Sequence, residues 1–119
     1  NDIPDGKITQ VLLDEYKIGM LTVLMSKKLF KKRKFTNYIN IIGDFDFFIS
    51  LSINEIFFYI KEPLAFYREH NDNYSKKLNI YADELKKWLN INSLKMFKLK
   101  LSLTKIKIQY FKFKIKKFH

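Results

Sequence analysis

The 119-residue sequence contains no cysteine, which excludes a disulfide framework, a thiolate metal site and a cysteine nucleophile and fits a reducing compartment. Glycine and proline are scarce, at three and two, while Ile, Leu and Phe are abundant, which is a globular composition. No apolar run reaches eighteen residues, so no segment is expected to span a membrane. The opening Asn1-Asp2-Ile3-Pro4-Asp5-Gly6 has neither a basic region nor an initiator Met, so it reads as the edge of something longer rather than as a signal peptide. The length suits one domain, or a piece of one, with a real core.

Acidic residues are missing from the last quarter. From Asn92 to the end there are nine Lys and no Asp or Glu, while the remaining 14 basic residues face 12 acidic ones, so the body is close to neutral and the tail carries most of the net charge of +11. The high pI therefore does not by itself define a nucleic-acid-binding protein.

The chain is organised around Ile41-Ile42-Gly43-Asp44-Phe45-Asp46-Phe47-Phe48-Ile49-Ser50-Leu51-Ser52. Two carboxylates stand in an apolar run, where burial costs several kcal/mol (about 2–7 for an unpaired polar group) unless each is paired, caps a helix or opens on a cleft. The spacing predicts a helix buried on most faces, entered at Gly43-Asp44. Asp44 then has two compatible readings, as an N-cap for the first turn and as a general base facing a cleft, because a carboxylate has about four acceptor sites. Asp46 lies about 200° further round the helix, so the two acids do not flank one bond; it reads as a first-turn anion or as a supporting hydrogen bonder.

Elsewhere, a short helix is expected over residues 7–16 and a buried strand at Met20-Leu21-Thr22-Val23-Leu24-Met25. Ser26 to Phe30 begins a helical turn, and Lys31-Lys32-Arg33-Lys34 reads as a solvated loop. Ile56-Phe57-Phe58-Tyr59-Ile60 has strand composition, interrupted by Glu62-Pro63 and continued in extended form to Arg68. Residues 69–75 read as a loop, and a helix follows from Lys76 with Leu78, Tyr81, Ala82, Leu85, Trp88 and Leu89 as its apolar stripe. The tail from Leu94 mixes helical and alternating spacing; its alternation changes parity twice, which favours helix.

The succession Gly6-Lys7-Ile8, Gly19-Met20-Leu21-Thr22-Val23-Leu24, Ile42-Gly43-Asp44-Phe45-Asp46, Glu62-Pro63-Leu64-Ala65-Phe66-Tyr67-Arg68-Glu69-His70 and Asn73-Tyr74-Ser75 resembles the C-terminal half of a bacterial family 2 glycosyltransferase. The resemblance implies an α/β fold, part of a GT-A (Rossmann-like) domain with a few strands packed with helices, over residues 1–91. A basic amphipathic, helical tail follows at 92–119. It implies inverting transfer of a sugar from a nucleotide-sugar to an acceptor hydroxyl in surface polysaccharide or lipopolysaccharide synthesis. Asp44 matches the family's base, and Gly43 stands where a Glu is common. Arg68 and His70 match a loop near the donor diphosphate and its metal, His70 as a metal ligand, with Asp46, Tyr67, Asn73 and Ser75 in support. A divalent ion, Mg2+ or Mn2+, is expected in the complete enzyme. Its Asp-x-Asp motif is absent, since Asp44-Phe45-Asp46 has the spelling but not the position, so the chain is expected to be an inactive fragment by itself.

The expected partners are a nucleotide-sugar and a glycan or lipid-linked acceptor. The expected location is cytoplasmic, peripheral on the inner face of the membrane if the Lys- and Phe-rich tail meets anionic lipid. The alternative is a non-enzymatic module whose tail binds nucleic acid or anionic membrane. With 21 Lys against two Arg, the better bidentate reader is scarce and nucleic acid is not the expected partner.

Overall fold

The computed structural model describes residues 5–66, 68 and 78–117. Its elements in order are α1 (Thr9–Asp14), a 3₁₀ turn (Met20–Thr22), α2 (Lys27–Lys32), α3 (Gly43–Asn54), α4 (Leu78–Lys98) and α5 (Thr104–Lys117). Among the described residues the β structure amounts to one isolated antiparallel bridge, in which Gly6 and Phe57 exchange N–H···O bonds of 2.7 and 3.1 Å. The expected α/β, Rossmann-like domain is thus corrected: the described residues are rich in helix and form no sheet.

The physical reason lies in the two segments of strand composition. Such segments are stable as strands only where a neighbouring strand takes up their N–H and C=O groups and a packed face covers their side chains. Met20–Thr22 instead coils into one 3₁₀ turn, closed by the Thr22 hydroxyl on the Gly19 carbonyl at 2.7 Å, and Leu24 is left 95% exposed. In residues 56–60 Phe57 finds a partner in Gly6, and Tyr59 N–H donates to the Asp5 carboxylate at 2.5 Å, while Ile56, Phe58 and Ile60 face outward.

The helical expectations fare differently. α3 begins at Gly43 and buries residues on two sides, as an apolar run with little amphipathicity must. Phe45 and Ile49 enter a core with Ile8, Leu12, Leu85 and Trp88, whereas Phe47, Phe48 and Leu51 build a second cluster beneath Val23, Met25 and Leu29. The hydroxyls of Ser52 on α3 and Thr9 at the start of α1 join the two helices at 2.9 Å. The Leu78–Lys98 helix buries the Ala82, Leu85, Trp88 and Leu89 stripe.

Beyond Leu94 the chain is helical but not continuous. α4 ends where Lys100 takes a left-handed conformation, φ 59°. Leu101 N–H bonds the Met96 carbonyl at 2.9 Å and Lys100 N–H the Phe97 carbonyl at 3.0 Å, the two bonds of a Schellman stop. α5 then folds back along α4, and Met96, Leu103 and Ile106 join the main core. From α1, Gln10 brackets the turn: its Oε1 accepts from Ser102 N–H at 2.8 Å and its Nε2 donates to the Ser102 carbonyl at 3.0 Å.

Candidate functional site

The entry to α3 is held by an acid that comes from elsewhere. Glu84, buried on α4, accepts the backbone N–H groups of Asn40, Ile41 and Ile42 at 2.5, 2.7 and 3.0 Å. Three donors ahead of the helix are thereby satisfied by a charge-assisted acceptor. The cap position itself is Ile42, which has no side-chain cap, so Asp44 is the second residue of the helix rather than its N-cap. Its carboxylate is therefore not occupied with capping.

Asp44 is half-buried, and Tyr16 donates its phenol proton to Oδ2 at 3.2 Å. Its other oxygen has no protein hydrogen bond among the described residues. Burial pushes the Tyr16 phenol well above the ordinary tyrosine range, and the neighbouring Asp44 charge and hydrogen bond push it further. Tyr81, on α4, is raised in the same sense by burial and then by Asp44, with a hydrogen bond from Gln109 acting the other way. Both phenols therefore stay protonated, Tyr16 donating to the carboxylate and Tyr81 accepting from Gln109 Nε2 at 3.4 Å. On its open side Asp44 lines a concavity of about 410 Å³ with Met20, Phe35, Thr36, Ile39, Asn40 and Gly43. The Thr36 hydroxyl in this wall is buried without a hydrogen-bond partner.

Asp46 is placed differently, as its position around the helix requires. It is buried, with Oδ1 accepting from Trp88 Nε1 at 3.0 Å and Oδ2 paired to Arg33 at 3.3 Å. Arg33 is correspondingly half-buried, a correction to the solvated loop expected at residues 31–34, of which Lys31 and Lys32 form the end of α2. Phe45, between the two acids, packs edge-on against Tyr16 and Trp88 with ring centroids 5.3 and 4.9 Å away.

Arg68 is exposed. Tyr67, His70, Asn73 and Ser75 lie outside the described residues, and with them the expected metal ligand. At the start of α3 Asp44 and Asp46 do not make a shared divalent-ion site, because Asp46 has both oxygens engaged, by Trp88 and Arg33. Among the described residues no group of three His, Asp or Glu converges as a metal site would require.

Sequence reasoning missed Tyr16, Glu84 and Arg33. Only Arg33 left a signal, as one of two arginines among 23 basic residues; the two others meet α3 from 28 and about 43 positions away. Compared with protein-family models, with curated proteins and with solved structures, the chain matches none of them.

Proposed function

We propose that the chain supplies the acceptor side of an inverting sugar transfer, with Asp44 as the base. One observation carries this reading. Just ahead of α3 a neighbouring glutamate accepts the backbone N–H groups, while the Asp44 carboxylate accepts the Tyr16 hydrogen bond on one oxygen, has no protein hydrogen bond to the other among the described residues, and lines a concavity. The concavity mixes apolar and polar groups, Met20, Phe35 and Ile39 with Asn40 and Thr36, which suits the alternating faces of a sugar.

In the proposed step the acceptor O–H gives its proton to Asp44 while its oxygen bonds to the anomeric carbon of a nucleotide-sugar. The opposite C–O bond breaks, and its electron pair leaves with the nucleoside diphosphate. Tyr16, donating to the other carboxylate oxygen, is a positioning residue that keeps the free oxygen aimed outward. The donor is to be held by residues other than those described.

The test labels the site chemically. Epoxypropyl glycosides carry a sugar and an epoxide that an adjacent carboxylate opens to form an ester. Peptide mapping is expected to place the ester on Asp44, to show protection by the matching free glycan, and to find none in Asp44→Asn. Label spread over exposed acids such as Glu62 and Asp83, without glycan protection, would overturn the assignment.

A further inference from the structure

α5 carries two apolar stripes, and the fold uses one. Ile106, Tyr110 and Phe113 turn inward: Ile106 is buried, Tyr110 packs against the core, and the Phe113 ring lies 4.6 Å from that of Tyr81. Ile108, Phe111 and Ile115 fall within about 60° of one another on the opposite side of a 3.6-residue helix, and they are 47, 60 and 60% exposed. Lys107 and Lys114 border this second stripe on one side, and Lys105, Lys112 and Lys116 on the other. Beyond Glu84 the sequence holds no acid to balance them. On α4 the exposed Ile91, Leu94 and Phe97 likewise lie away from the buried stripe.

We infer that the outer face of α5, continued by that of α4, docks flat on an anionic phospholipid membrane. The charge pattern selects this occupant. A row of apolar side chains between two rows of lysine, with no acid, matches an interface in which the apolar row enters the acyl boundary and the lysines reach back to anionic headgroups. A protein partner would need its own acids set on both sides of an apolar groove. Nucleic acid would use the lysines and leave Ile108 and Ile115 in water. A helix pinned by its inner stripe to a folded core lies parallel to the surface, and none of the described helices is long and apolar enough to cross the bilayer. The inference does not rest on the sugar-transfer reading.

Co-sedimentation with vesicles of mixed phosphatidylglycerol and phosphatidylcholine, compared with pure phosphatidylcholine, tests it. The full chain is expected to pellet with the anionic vesicles at least about tenfold more strongly. Phe111→Ser with Ile115→Ser, and separately Lys107→Glu with Lys114→Glu, should each lower the affinity about tenfold or more while circular dichroism stays unchanged, since these side chains lie outside the core. In Phe111→Trp, emission should shift to the blue on adding anionic vesicles, over a constant background from the buried Trp88. Equal binding to both vesicle types, or anionic binding that survives the apolar substitutions, would overturn the inference. So would single-stranded DNA binding that survives them and displaces the vesicles, or a solution dimer lost in the same variants without vesicle binding.

Discussion

Three carboxylates surround the start of α3, and their surroundings assign them different work. Glu84 and Asp46 are buried and fully engaged, so removing either leaves a buried donor, Ile42 N–H or the Trp88 indole N–H, without its acceptor. Glu84→Ala and Asp46→Ala are each expected to lower unfolding stability on the order of 3 kcal/mol, read as a lower urea midpoint. Asp44→Asn should cost less than about 1 kcal/mol, because its amide oxygen can still accept from Tyr16 and its other contact is solvent. A large loss there would mean that the residue holds the fold instead of facing a ligand. Tyr16 and Tyr81 add a pH dependence. Their phenols ionise less readily when folded than when unfolded, so unfolding releases protons in alkali. Their stabilising effect is complete below about pH 10, the unfolded value, and falls as pH rises beyond it. Alkaline denaturation should be shallower in Tyr16→Phe, and absorbance titration should show a late tyrosine phase that this variant partly loses.

At the scale of the elements, the hinge between α4 and α5 stores a correctable cost. Lys100 occupies a left-handed conformation that a side chain resists. Lys100→Gly is expected to stabilise the chain by about 0.5–1 kcal/mol, visible as a rise of a few degrees in Tm. The same stretch shows what a sequence reveals. Periodicity located α3 and the apolar stripe of α4 because those helices close their own backbone hydrogen bonds and need only a face to bury. It misread residues 20–25 and 56–60, whose Val, Ile and aromatic content describes a preference that only a neighbouring strand can satisfy. The stop at Lys100 was equally hidden, since lysine carries none of the turn preference that glycine would have signalled. At the start of α3 the unusual placing of Asp44 in an apolar run was legible; its hydrogen bond from Tyr16 and the bonds from the α3 entry to Glu84 were not, being brought near by tertiary packing alone.

At the scale of the whole molecule, residues 56–66, which follow α3, expose a run of apolar side chains. Phe58, Leu64 and Phe66 stand largely in solvent, and exposed apolar side chains on a backbone of strand composition invite pairing with a like segment. Sedimentation should therefore show self-association that rises with concentration and is reduced in Phe58→Lys with Phe66→Lys, while the surface of α5 is left intact. An unchanged association in that double variant would assign it elsewhere. The bond from Glu84 to the α3 entry has a further outcome for biogenesis. The anchor is translated some forty residues after the groups it secures. A nascent chain halted before position 84 would carry Asp44 yet lack the scaffold to aim it. The entry to α3 would therefore gain its anchor only once residue 84 has been made and has packed against it.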